Sequence, residues 1–299
     1  MNEFLKILIK RNGEIIHDIF ARSHNDLTTK YLSRKDIETK KYFKATFAPN
    51  ENQRLDDLDK YQLIINEPYI PEWFTDEMRE YLITKLKRII SAMIIKNKKK
   101  LLLHEGAILV GNADISEIKH SLIFAMYDNA RIEVLDDASE IQIMSDDTQI
   151  EKMFDGTKVV EMCGFSKIKE MHDYSKIVKM YGRAKVGKMY NNSRIAILIG
   201  DANVKEMRDE AQADRLKHMS RVDEMHGHTV IEEMWNWSVV EKMFDFARIN
   251  YMGEESKVIE MHGDSMVEEM RGNAVVEKLY ENSLVRKLND AAQVLSKEL

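Results

Sequence analysis

The chain has 299 residues, 45 Lys+Arg against 51 Asp+Glu and a formal net charge of −6. That length accommodates one large domain or a small domain followed by a repeat array, and so modest a charge forces neither nucleic acid nor membrane as a partner. Its one cysteine, Cys163, excludes an intramolecular disulfide framework and fits a reducing compartment. The charge is unevenly spread: residues 1–112 carry a net +4 and residues 113–299 a net −10.

In chain order, MNEFLKILIKRNGE is interrupted by Lys6 and has no small-residue cleavage site after it, so it reads as a strand and not a signal peptide. FLKILIK and EIIHDIF flank Asn12-Gly13, a hairpin signal. YFKATFAP and YQLIINEP give two further strands, separated by the polar stretch ENQRLDDLDK. Residues 1–74 are therefore expected to form a small α+β head domain. Thr75 is an N-cap candidate for an amphipathic helix from Asp76 to about Asn97, with Asp76 and Glu77 in its first turn and Lys96, Lys98, Lys99 and Lys100 crowding its end. Residues 75–100 are expected to cap the open end of a repeat array beginning at residue 101. The apolar-rich segment 82–95 contains Lys85, Lys87 and Arg88 and cannot span a bilayer, so no membrane association and a cytoplasmic location, in the producing or a host cell, are expected.

The dominant signal lies in residues 101–299. From Ser121 to Ser283 a Ser, Ala or Thr recurs every nine residues in 19 copies. Two residues later stands Val or Ile, with Ala213 the exception, and five residues later Met in 14 copies and Leu in five. A nine-residue step advances an α-helix by half a turn out of register, so successive copies of a helical stripe would point to opposite sides. A β-arc avoids this, because positions 1 and 3 face inward together. Position 6 must then also face inward, which requires a bend at positions 4 and 5, while Gly, Asp or Asn at position 8 suits a tight turn. Pro49, Pro68 and Pro71 all lie outside the array, as a backbone that must donate to neighbouring coils requires. The expected fold class is mainly β: a nonapeptide-repeat β-solenoid with two nonamers per 18-residue coil, or alternatively three per triangular coil. At ~4.8 Å per coil, nine or ten coils would span about 45 Å.

Candidate chemistry divides into core and surface. His172, His226 and His262 share position 7, but coil spacing separates them by about 10 and 14 Å, too far to share a metal. His226 and His228 are closer, with no third ligand apparent, and no metal, cofactor or catalytic residue is expected. The interchange of Met with Leu at position 6 is what packing permits and ligation does not. Phe154, His172, Tyr190, Arg208, His226, Phe244, His262 and Tyr280 would stack in one outer column, either through self-association of side chains or as a platform for bases. From His226 to Tyr251 the outer positions break the polar pattern: His226, His228, Trp235, Trp237, Phe244, Phe246 and Tyr251 replace charged residues, and Val230 and Val239 replace Lys or Arg. Clustered apolar groups at positions charged elsewhere point to a partner-binding or self-association surface.

NSRIAIL from Asn192, NAVVEKL from Asn273 and NSLVRKL from Asn282 resemble a set of uncharacterised phage and bacterial proteins built from N-S-x-V-x-x-M nonapeptides, and PEWF at 71–74 is similar more loosely. The resemblance implies the solenoid fold and a phage or mobile-element origin, and no activity. The expected role is a non-catalytic binding or scaffold protein with a protein partner, nucleic acid being the weaker choice, and homo-oligomerisation through the aromatic patch or the C-terminal solenoid end. The alternatives are an acidic decoy occupying a nucleic-acid-binding protein such as a host-defence factor, and a solenoid enzyme acting on polysaccharide.

Overall fold

In the computed structural model, which describes residues 4–51, 53–103 and 105–298, the nonamer register folds as two parallel sheets of twelve strands each. Residues 1–3 of the expected first strand lie outside the described residues. Consecutive nonamers alternate between the sheets. The first sheet runs from Ile94–Lys96 through Leu122–Met126 and Val230–Met234 to Leu284–Leu288, and the second from Lys99–Leu103 through Arg221–Met225 to Gln293–Glu298. Neighbours within a sheet are 18 residues apart, as in Met153↔Met171 and Val222↔Val240. Two nonamers per coil is therefore the arrangement, and the three-sided alternative is excluded.

The reason is legible position by position. Residues at positions 1, 3 and 6 are buried from Ser121 to Ala274. Positions 2, 3, 5 and 6 pair in register with the next coil, while position 4 drops out, as Glu133 does between Ile132↔Ile150 and Val134↔Lys152. That bend breaks the two-residue alternation and turns both position 3 and position 6 inward. At position 8 every residue from Asp128 to Asp290 has positive φ. There the chain turns, closed by the position 1 N–H donating to the position 7 carbonyl (Ser175 to His172, 3.1 Å).

Asp and Asn recur at position 8 for a second reason. Their side chains accept the position 8 N–H of the preceding coil, as Asp245 does from Gly227 (2.9 Å) and Asp209 from Asn191 (3.1 Å). Where this bond forms, one turn is tied to the next on the same edge. At position 1, Thr148 and Ser166 donate their hydroxyls to the carbonyl three residues back, but Ser175, Ser193, Ser220 and Ser238 are buried with no hydrogen-bond partner. Their value is small size.

The head is a four-stranded antiparallel sheet in the order β2-β1-β3-β4, with β1 Leu5–Lys10, β2 Ile15–His17, β3 Tyr42–Pro49 and β4 Tyr61–Ile65. The expected hairpin is present, with Gly13 at φ 78° and Ile9 paired to Ile15. Two short helices, α1 (His24–Tyr31) and α2 (Arg34–Thr39), were not foreseen, although both begin with a reciprocal cap, Ser23 with Asp26 and Ser33 with Asp36. The helix α3 spans Asp76–Met93 with Thr75 as N-cap, and it packs on β4 through a face that buries Leu82, Leu86 and Ile90. It ends earlier than expected. Ile94–Lys96 joins the first sheet, and Asn97 turns the chain at φ 53° while its side chain accepts from the Asn112 N–H. The lysine cluster consequently lies on the first two strands of the array (Lys96, Lys99 and Lys100) and the turn between them (Lys98), and not on a helix C-terminus. The sheets thus begin before the nonamer signal does, which makes the coil number larger than the nine or ten expected. By compactness the chain forms two units, Met1–Ile95 with Gly106–Ile108, and Lys96–Glu105 with Leu109–Leu299.

Candidate functional site

Because the chain passes from one sheet to the other at every turn, the array has two edges. Turns leaving the second sheet carry His226, His228, Phe244 and Phe246; turns leaving the first sheet carry Trp235 and Trp237. Six of the seven aromatic and histidine positions that break the pattern are therefore divided between two edges, four on one and two on the other. Tyr251 lies at position 5 on the outer face of the first sheet and joins the tryptophans, its ring 4.8 Å from that of Trp235.

The tryptophan edge is built around a glycine. Gly253 occupies position 7 one coil after Trp235, and a Cβ there would lie 2.9 Å from the rings of both Trp235 and Tyr251. A larger residue would displace the pair. Trp235 also donates its indole N–H to Glu233 (3.0 Å). Trp237, at position 9, is 60% exposed.

On the histidine edge, two stacks form at position 7. Phe154, His172 and Tyr190 lie with ring centroids 4.8–4.9 Å apart, and His226, Phe244, His262 and Tyr280 come beyond Arg208 at 4.5–5.0 Å. Two residues further on, at position 9, His228 stacks on Phe246 at 5.0 Å, and Phe246 is 57% exposed. The position 7 rings are in stacking contact with one another, with no gap for an inserted base.

Beside this column runs a second, at position 5 on the outer face of the second sheet, which sequence reasoning missed. Lys152, Glu170, Lys188 and Glu206 alternate in register, and so do Glu224, Lys242, Glu260 and Lys278. Cross-coil ion pairs result, Lys152–Glu170 at 3.5 Å, Lys188–Glu206 at 3.2 Å and Lys242–Glu260 at 3.4 Å. The two columns are matched. Each Glu at position 5 is followed at position 7 by a cation or imidazole (His172, Arg208, His226, His262), and each Lys by a ring (Phe154, Tyr190, Phe244, Tyr280). His172 Nε2 lies 3.1 Å from Glu170, and His262 Nε2 lies 3.5 Å from Glu260.

The alternation slips once, where Glu206 and Glu224 are direct neighbours. Glu206 is 6% exposed. Burial favours its neutral form, but hydrogen bonds from Arg208 and Lys188 outweigh this and hold the carboxyl below the ordinary glutamate range. His226 Nε2 stands 3.1 Å from Glu224 and 4.0 Å from Glu206. The histidine spacing alone offered no third ligand for a metal; the coil supplies two carboxylates. A signal was present in the sequence, as the one place where two Glu-x-(His/Arg) units succeed each other at 18 residues.

A second group, Asp136, Asp137 and Asp155, gathers at the turns after Arg131–Asp136 and Gln149–Met153 on the same edge, and Asp155 is pushed up by desolvation and by the surrounding aspartates. Cys163 is half-buried, and burial pushes its thiol up, toward the unreactive protonated form. No helix among the described residues is long and apolar enough to cross a membrane. Comparisons with protein-family models, with curated proteins and with solved structures give no match.

Proposed function

We propose that this chain is a non-catalytic binding or scaffold protein whose solenoid presents the Trp235–Trp237–Tyr251 edge to a protein partner. The observation that carries this reading is the exposure of Trp237 on a turn tied to coils on both sides, beside a Trp235–Tyr251 pair for which Gly253 leaves room. A large ring on a rigid backbone loses little conformational freedom on binding, which is why tryptophan dominates the energetics of protein interfaces. The likeness of the nonapeptides to phage and bacterial repeats supports a phage- or mobile-element-borne origin. The decoy reading has weaker support, because cations such as Lys158, Lys169, Arg194 and Lys257 pair with acidic groups on neighbouring coils and offset the acidic rows.

The test is affinity capture from lysate with the full chain, comparing Trp235→Ala/Trp237→Ala with His228→Ala/Phe246→Ala on the opposite edge. The tryptophan variant is expected to lose the captured protein at least about tenfold, in line with a central anchor, and the opposite-edge variant to retain it. Equal retention by both variants overturns the reading. Capture lost in moderate salt but unaffected by the tryptophan changes supports the decoy instead.

A further inference from the structure

The slip in the charge ladder concerns a different edge from the tryptophans and stands apart from the proposed protein-binding role. Wherever else a Glu-His unit occurs on the histidine edge, it is insulated. The unit Glu260–His262 has Lys242 and Lys278 as its neighbours at position 5, and Glu170–His172 has Lys152 and Lys188. One imidazole then meets one carboxylate, and ammonium groups occupy the positions on either side. At Glu206 and Glu224 no lysine intervenes, and two carboxylates converge on one imidazole.

Like charges paired directly across neighbouring strands are unfavourable, and the ladder avoids them at each other step from Lys152 to Lys278. One carboxylate of the pair is, moreover, almost fully buried. The geometry comes within small side-chain movements of what a divalent cation requires. The Glu206, Glu224 and His226 ligand atoms all lie within 4.8 Å of one another, with two of the separations at 3.1 and 4.0 Å. Tetrahedral zinc with bonds of about 2.0–2.2 Å sets its ligands about 3.4 Å apart, so side-chain adjustments of about an ångström or less would close the set. The imidazole is pre-oriented by stacking on Phe244 at 4.7 Å and an interplanar angle of 8°. The outer oxygen of Glu206 is held by Lys188 at 3.2 Å, the kind of supporting contact that fixes a ligating carboxylate. Arg208 bonds the oxygen that faces His226 and would share it with the ion or swing outward, its side chain being half exposed.

We propose that Glu206, Glu224 and His226 form a binding site for a divalent cation of the zinc class on the histidine edge of the solenoid. One imidazole nitrogen with two carboxylate oxygens is a borderline donor set, which favours zinc over calcium or magnesium; those prefer all-oxygen shells. With three protein ligands, a fourth position would remain for water or for a group from a partner.

The experiment is calorimetric titration of the full chain with zinc chloride, repeated with magnesium chloride, on the wild type and on Glu224→Gln, His226→Ala and Glu206→Gln. His262→Ala serves as a control, because it removes a histidine of the same edge whose unit has a single carboxylate. Expected are one equivalent of zinc with a dissociation constant below about 100 μM, no magnesium binding in that range, and at least about tenfold weakening in the three variants. The control should bind as wild type does. Circular dichroism verifies the fold of each variant, and since Glu224→Gln is isosteric and lies on the outer face, it decides the matter if Glu206→Gln fails to fold. Absence of a one-equivalent zinc isotherm, survival of binding in His226→Ala and Glu224→Gln, or equal loss in His262→Ala overturns the proposal.

Discussion

The head and the array bury apolar side chains in opposite ways. In the head each core residue has its own neighbours: Phe43 meets Trp73 and Phe74, Phe47 meets Tyr61, and Leu27 of α1 packs with Leu8 and Ile16. In the array one environment is repeated, so that Met171, Met189 or Met225 sees the same position above and below. A heterogeneous core is specified by shape, and a periodic one by register. The array can therefore exchange Met with Leu, whereas the head has no equivalent freedom.

That contrast sets the largest expected effects. Phe47→Ala should cost the head about 3–5 kcal/mol, and Met189→Ala should cost the array about 2–5 kcal/mol through the cavity it leaves. Met189→Leu should cost less than about 1.5 kcal/mol, since volume and register are kept. Urea unfolding of the full chain followed by hydrogen exchange, which reports each unit separately, checks all three. An array as sensitive to Met189→Leu as to Met189→Ala would break the comparison.

A smaller effect is expected at the turns. Asp245→Ala removes the acceptor of the Gly227 N–H and leaves an alanine at φ 56°, a loss of about 1–2 kcal/mol, whereas Asp245→Gly removes only the hydrogen bond. Faster exchange of the Gly227 amide in both variants, with the larger fall in thermal midpoint for alanine, is the expected outcome. The smallest effect belongs to position 1. Ser193→Ala deletes a buried hydroxyl that has no partner and places the residue already found at Ala211, one coil on. Stability should be unchanged or raised, by less than about 1 kcal/mol. A marked loss would mean that the small-residue column is held by its hydroxyls and not by its size.

How much was legible differs along the chain. Inward positions, the turn residue and the bend could be read because each nonamer repeats its own local instructions, and 19 copies average out the exceptions. The end of α3 could not, since Ile94 and Ile95 suit helix and strand alike and only pairing into the first sheet decides between them. The S-x-x-D signatures at Ser23 and Ser33 were there to be read, but they open helices too short to show periodicity. At the surface the difficulty was of another kind. His226 drew notice for its position 7 column, while its ligand partners stand at position 5 of its own and the preceding coil.

The sequence by itself determined the β-solenoid, its inside and outside, and the tight turn at position 8, because those depend on residues that each nonamer repeats. The position 7 column was legible as well once 18-residue coils were expected, whereas only the tertiary structure decided which residues of different outer positions meet. Two nonamers per coil send alternate turns to opposite edges, which parts Trp235 and Trp237 from Phe244 and Phe246 although they are close in sequence. The same coil brings Glu206, 20 residues from His226 along the chain, to within 4.0 Å of its ring.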